Sequence, residues 1–338
     1  MLLHCKIWRW DIFMLGWDKG KRSMDEQTFD NLRQRLGDEH LGKRMRAQVD
    51  HLINITGQGL GSFHYENVSL FTRFVDLSLR ISGLKKYGQR NALQFKVTEN
   101  RVPFPNLPKS FDGQRILQLS DLHIDGYPGL GSRVAEVVAG LSFDLCVVTG
   151  DFRFSDTGRY RHIAEELDAL VPALKCRWGI YGILGNHDYI EMAPMIESEG
   201  ISLLINEKTA LDVNGEKLWL IGLDDAHFYG MHNFEKALQG VPTNAAKVLL
   251  AHSPELIPEA AALNFGLYLT GHTHAGQMCL PGGIPILRNA RCAPQYIAGR
   301  WDFNGMIGYT SAGVGCSGVF ARFYCPPEIV IHTLQRAT

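Results

Sequence analysis

From residue 112 onward the chain is a succession of short aliphatic and β-branched runs separated by helical stretches, and this alternation confines it to the α/β class. The runs are RILQLS, LCVVTG, GIYGIL, KLWLIGL, KVLLA, LYLTG, MIGYTS and EIVIHTL. Each has the length of one strand. Many end at their C-terminal edge in a cluster of Asp, Asn or His, which is where open α/β sheets place their sites.

Ahead of this region the pattern differs. Residues 20–58 are rich in Asp, Glu, Lys and Arg with scattered Leu and Met, and predict one or two solvated helices ending near the glycines of ITGQGLG. Between 66 and 84, Val68, Phe71, Val75 and Leu79 recur at helical spacing with Phe74 and Ile81 nearby, beside a basic flank that runs to Lys85, Lys86 and Arg90. Two readings follow: a helix packed on the main domain, or a peripheral contact with a membrane surface. Near residue 93 the chain turns to strand-type alternation in LQFKVTENRVPFP, and Pro103, Pro105 and Pro108 are expected to bar regular structure before the next element. The expected organisation is a helical extension over residues 1–92 and a catalytic domain over 93–338.

Composition limits the function classes. With 34 Lys and Arg against 35 Asp and Glu, bulk charge gives no argument for nucleic-acid binding and leaves only a local groove for it. The 7 cysteines form no CxxC pair and sit partly in apolar runs, which favours buried free thiols and a reducing, cytoplasmic setting. Lys6, Arg9 and Asp11 interrupt the first apolar stretch, so no signal peptide is expected. Arg73, Asp76 and Arg80 likewise interrupt the most apolar early window, so attachment to the cytoplasmic membrane face would be peripheral.

The chemistry lies in five loops: Ser120-Asp121-Leu122-His123, Gly150-Asp151, Gly185-Asn186-His187-Asp188, Ala251-His252-Ser253 and Gly271-His272-Thr273-His274. Carboxylate oxygen with imidazole nitrogen is a ligand set for borderline divalent ions. A lone histidine such as His252 reads as well as a core residue, and Gly150-Asp151 as a turn. Five clusters after five runs are another matter, because a purely structural account would gather acids and histidines at one sheet edge with no cation to offset them. Asp151 is the natural carboxylate to bridge two ions.

In this order and at these separations DLH, GD, GNHD, AH and GHTH resemble the signature of the calcineurin-like metallophosphoesterases, over about residues 100–335. FDGQRILQLSDLHID, IGLDD and GHTHAGQMCLPGGIPI are similar to a bacterial subgroup containing YkuE-type phosphodiesterases and UDP-2,3-diacylglucosamine pyrophosphatases. The resemblance implies a four-layer αββα sandwich of two mixed sheets. It implies two divalent ions, manganese foremost with iron or zinc as alternatives. One would be held by Asp121, His123 and His274, the other by Asn186, His252 and His272, with Asp151 bridging. A metal-bridging hydroxide would attack phosphorus in line, so Ser120, Ser253 and Cys279 read as loop residues. His187 would face the leaving-group oxygen, stabilising the transition state or donating a proton.

One position departs from the family pattern. Where many members carry an acid that orients the catalytic histidine, this chain has Phe154, and Asp156 is the nearest substitute. A phosphodiesterase or phosphomonoesterase is the first reading, and a pyrophosphatase acting on a nucleotide-diphosphate sugar lipid of the UDP-2,3-diacylglucosamine type the second. A non-catalytic scaffold of the same fold comes third, and it would be expected to have lost ligands. Substrate contacts are sought in Asp224, Asp225 and His227, and in Arg288 and Arg291, where a guanidinium suits a second phosphate.

Overall fold

Strands β1 (Lys96–Phe104), β2 (Arg115–Leu119), β3 (Leu145–Thr149), β4 (Ile180–Ile183), β5 (Ile201–Leu203) and β14 (Glu328–Arg336) form one sheet in the order β1-β14-β2-β3-β4-β5. β6 (Glu207–Val213), β7 (Glu216–Gly222), β8 (Ala246–Leu250), β9 (Leu267–Thr270), β12 (Gly299–Phe303) and β13 (Met306–Thr310) form the other, in the order β12-β13-β9-β8-β7-β6. Both are mixed: β14 runs antiparallel to β2 in an otherwise parallel sheet, and β6 and β12 are antiparallel edges of the second. A small hairpin, β10 (Cys279–Leu280) with β11 (Ile284–Pro285), stands apart. This computed structural model describes residues 26–55, 69–154 and 160–337.

The sheets face each other across one apolar core. Ile116, Val147, Ile183 and Val330 from the first meet Leu218, Leu220, Val248, Leu250, Leu267 and Ile307 from the second. The intervening residues Ile221, Leu249 and Tyr268 point the other way, as the two-residue period of a strand requires, and pack on α8 (Phe234–Leu238) and α9 (Ile257–Ala262). The parallel strands of the first sheet are joined through α5 (Leu130–Val138), α6 (Arg161–Leu170) and α7 (Ala193–Ser198), the crossovers that parallel pairing demands. This is the layered α/β sandwich expected. Pro103 departs from expectation: it lies inside β1, paired with Gln335. β1 is an edge strand, where a missing N–H leaves no ladder bond unmade.

Contacts divide the chain into two compact units, within residues 1–63 and 64–338. The first contains α1 (Glu26–Leu36) and α2 (Asp38–Ile55), separated by Gly37 at φ +88°, whose N–H closes the first helix on Arg33. In the second, α3 (Ser69–Ile81) and α4 (Lys85–Asn91) precede the sheets. Gly88 on α4 leaves room for Ala321 and Phe323, and the Arg322 amide donates to its carbonyl at 3.0 Å. On α3, Thr72 faces Gly318, Val75 and Leu79 of the expected stripe are half-buried, and Phe74, Leu77 and Ile81 beside them stand 67%, 55% and 79% exposed. Val68 lies outside the described residues. Among the described residues no helix is long and apolar enough to cross a membrane.

A buried polar chain ties the sheets together next to the strand ends. Asn100 Nδ2 donates to His332 Nδ1 (2.9 Å), His332 Nε2–H then donates to Gln118 Oε1 (2.9 Å), and Gln118 Nε2 donates to Thr149 Oγ1 (3.1 Å) and to the Thr270 carbonyl (2.9 Å). This direction of donation requires a neutral His332, and burial pushes its pKa down to about 3. Below the ordinary histidine value the unfolded chain takes up a proton that the native ring refuses, so this contribution to stability is complete above pH ~6.5 and is lost as pH falls toward 3. Urea unfolding of the metal-free protein at stepped pH should show this loss, at most about 1.4 kcal/mol per pH unit from this ring. His332→Gln should have a shallower slope between pH 6.5 and 4.5; an equal slope would refute the account.

Candidate metal centre

Ser120 and Asp121 follow β2, Gly150 and Asp151 follow β3, Asn186 follows β4, His252 follows β8 and His272 follows β9. Cross-ties lock these loops together: Asp121 N to Gly150 O at 3.0 Å, His123 N to Asp151 O at 2.9 Å and Gly271 N to His252 O at 2.9 Å. Asp121, His123, Asp151, His272 and His274 all have positive φ (+48°, +37°, +55°, +69° and +48°). A side chain in this left-handed region costs on the order of 1 kcal/mol, and residues held there cluster at functional sites. Close approach also depends on absent side chains. A Cβ on Gly185 would strike the Asp151 carboxylate, one on Gly271 would strike Ser120 and Asp121, and one on Gly315 the Leu122 carbonyl.

The seven residues expected as ligands converge. His252 Nε2 lies 3.0 Å from Asn186 Oδ1 and 3.2 Å from Asp151 Oδ2, and Asn186 Oδ1 lies 2.9 Å from His272 Nδ1. His123 Nε2 is 3.1 Å from His274 Nε2 and 3.6 Å from Asp151 Oδ2, while His274 Nε2 is 3.5 Å from Asp121 Oδ1. Asp121, His123 and His274 form one group with ligand atoms all within 4.8 Å of one another, and Asp151, His252 and His272 form another. His123, Asp151 and His187 form a third group that links them.

The donor set suits cations for a reason visible in the hydrogen bonds. His252 Nδ1 sits 2.8 Å from the Thr149 carbonyl and His123 Nδ1 2.5 Å from the Arg153 carbonyl. A carbonyl only accepts, so both rings carry their proton on Nδ1 and, when neutral, turn a bare Nε2 lone pair inward. There the His252 lone pair meets the Asn186 and Asp151 oxygens, which also only accept, and that of His123 lies between His274 Nε2 and Asp151 Oδ2. Oxygen and nitrogen donors without thiolate fit divalent ions of the manganese, iron or zinc kind.

Without such ions a proton takes their place. Burial alone would keep His252 neutral, yet Asp151 overrides it and pushes the ring up to about 10. For Asp151 burial opposes ionisation too, and the His252 and His187 rings outweigh it, holding the carboxyl well below its usual range. Burial lifts Asp121 to about 6 despite His252. Burial drives His272 and His274 well below the usual histidine range and takes His123 down to about 3.

Around this core the other expected residues divide. The His187 amide donates to Asp151 Oδ1 at 2.9 Å, its Nε2 stands 4.0 Å from Asp151 Oδ2, and its ring meets His123 edge-on at 4.8 Å. Phe154 lies edge-on to His123 at 6.2 Å, and Asp156 is outside the described residues. Asp188 accepts from the Gly185 and Phe152 amides at 2.9 Å each and so shapes the loop. Asp225 accepts from the Phe228 and Tyr229 amides at 2.7 Å each, folding its own turn. His227 packs 4.2 Å from the His272 ring and bonds Glu255 at 2.7 Å. Arg291 reaches the same Glu255 through its backbone amide.

Sequence reasoning missed Arg322. Its buried guanidinium donates to the carbonyls of Ala312, Gly313 and Gly315 and approaches His274 Nδ1 at 3.3 Å, fixing the loop after β13 against His274. The available signal was one cation in the apolar segment VFARFYCPPEI.

Residues 114–276 match the family model described as calcineurin-like phosphoesterase. A Danio rerio "transmembrane protein with metallophosphoesterase domain" is 32% identical over 274 residues, covering 75% of this chain and 61% of the relative. The chain therefore spans about three fifths of that protein's length. Bacillus subtilis YkuE, an uncharacterized metallophosphoesterase, is 28% identical over 74% of this chain and 90% of its own length. Escherichia coli "phosphodiesterase YaeI" is 27% identical over 86% of this chain and 98% of its own.

Because a cation must displace the proton on His252, apparent metal affinity should rise with pH, about tenfold per unit for one proton between pH 6 and 9. Calorimetric titration of stripped protein with Mn²⁺ in buffers of different ionisation enthalpy measures both the slope and the proton released. Flat affinity with no proton release would mean that His252 carries no proton for the cation to displace.

Proposed function

From a chain that belongs through residues 114–276 to the calcineurin-like phosphoesterases, we propose a hydrolase of phosphodiesters, working with two divalent metal ions. The observation that carries it is Asp151, whose Oδ2 lies 3.6 Å from His123 Nε2 and 3.2 Å from His252 Nε2, between the two groups of donors. In this reading Asp121, His123 and His274 hold one ion and Asn186, His252 and His272 the other, with Asp151 common to both. When bound, such ions supply a water nucleophile at neutral pH and offset the charge that builds on phosphoryl oxygen. Manganese is our choice of metal, from the oxygen and nitrogen donors and the subgroup resemblance.

The protein's own share is orientation and proton control. The Thr149 and Arg153 carbonyls hold the Nδ1 protons of His252 and His123 and so aim the opposite nitrogens inward. His187, anchored through its amide to Asp151, is our candidate to meet the leaving-group oxygen and hand it a proton. We assign this chemistry to residues 93–338. The name of the Escherichia coli relative, phosphodiesterase, supports diesters over monoesters.

A second reading, a pyrophosphatase acting on a nucleotide-diphosphate sugar lipid, is favoured by the exposed Phe74, Leu77 and Ile81 of α3, the basic residues beside them and the transmembrane relative's name. It implies peripheral contact through residues 66–84 with the cytoplasmic face of a membrane.

Metal-stripped protein should hydrolyse neither bis-p-nitrophenyl phosphate nor p-nitrophenyl phosphate, and Mn²⁺ should restore turnover, faster on the diester. Asp151→Asn should abolish it, and His187→Ala should lower kcat by roughly 10²- to 10⁴-fold with metal content retained. No turnover at full metal occupancy would overturn the reading. Co-sedimentation with anionic liposomes tests the second: binding lost in Phe74→Ser/Ile81→Ser supports the surface contact, and no binding by the parent protein rejects it.

A further inference from the structure

Between α3, the start of α4 and the 318–320 segment runs a groove of about 510 Å³, of the size that holds small ligands. Phe154 and Gly126 are among the residues that line it. Phe154 lies edge-on to the His123 ring at 6.2 Å, and the missing Cβ of Gly126 is what lets that phenyl ring lie flat against the loop. The groove thus lies next to a residue of the metal centre, at the position where an acid is absent from this chain.

The lining is amphipathic. Leu77, Val319 and Phe320 supply apolar surface, and Phe320 is fixed by stacking on Tyr127 at 4.9 Å. Arg73, Arg80 and Lys85 supply three cations against one carboxylate, Asp76. Asp76 is shared by two of them: Arg80 Nε lies 2.7 Å away, and Lys85 bonds the other oxygen. Arg73 makes no ion pair among the described residues. The excess positive charge next to apolar walls is an arrangement that favours an anion attached to an apolar body.

We propose that this groove is a substrate subsite, and that it takes the arm of the phosphodiester that carries a second negative charge on an apolar chain. The inference rests on the hydrolase reading above and adds to it a substrate class: an anionic amphiphile with one arm bound along α3 while its phosphodiester sits at the metal centre. Phe154 is the link between the two, since it lines the groove and packs edge-on against the His123 ring.

The test uses the full, Mn²⁺-loaded chain and four p-nitrophenyl phosphodiesters whose second arm is 10-carboxydecyl, decyl, 2-carboxyethyl or choline. The carboxydecyl ester should exceed the decyl and carboxyethyl esters in kcat/KM by roughly five- to tenfold each, with the choline ester slowest. In Arg73→Gln/Arg80→Gln the ratio of carboxydecyl to decyl should fall toward one. Equal kcat/KM for all arms, or a ratio that the double variant leaves intact, overturns the proposal. A carboxyethyl ester as good as the carboxydecyl one overturns its apolar half. Should no ester and no bis-p-nitrophenyl phosphate turn over, the hydrolase reading fails instead, and calorimetric binding of 10-carboxydecyl phosphate decides the subsite alone: it should weaken about tenfold in the double variant, and an unchanged affinity would sink it.

Discussion

Two sheets whose strands end at the same edge need something to hold those ends in register, and in this protein it is the side chain of Gln118. One amide reaches from the middle of the first sheet to Thr149 on its neighbour strand and to the Thr270 carbonyl on the facing sheet. Asp121, Asp151 and His272 lie two or three residues beyond those three points. Apolar packing between sheets is not directional and tolerates small slips, whereas a buried amide with all its bonds made does not. The spacing between the ligand loops is therefore inherited from a polar contact inside an otherwise greasy interface.

A second tension runs through the site. Left-handed backbone at five non-glycine positions, and acids and imidazoles crowded together out of water, are both unfavourable in the protein by itself. The surrounding lattice of backbone bonds and the guanidinium of Arg322 keep the loops in place regardless. Preorganisation of this kind means that little movement remains to be done when a cation enters.

How much of this was legible in the sequence follows from the range of the forces involved. The strands were readable because each apolar run is local, and the ligand residues because each motif directly follows one. β5, β6 and β12 were missed, being short or carrying mixed polarity, as sheet edges do. Pro103 misled because its place at an edge depends on pairing with Gln335, far along the chain. Gln118, Asn100, His332 and Arg322 carried no motif, since their meaning arises only when segments more than 200 residues apart meet, or when a loop after β13 closes over His274. The uncovered face of α3 was half visible: periodicity gave the stripe, but only the fold shows which of its residues stay in solvent.

The position of β14 has a temporal side. It lies between β1 and β2 and pairs with both, yet it is made of residues 328–336. While the polypeptide is being synthesised, the strand that carries Asp121 has an open flank until the last of these residues has left the ribosome, and His332, which orients Gln118, arrives with them. Contacts of such sequence separation are slow to form. Translation thus acts as a clock for the site, whose flanking strands are not all in place until residues 328–336 have been made.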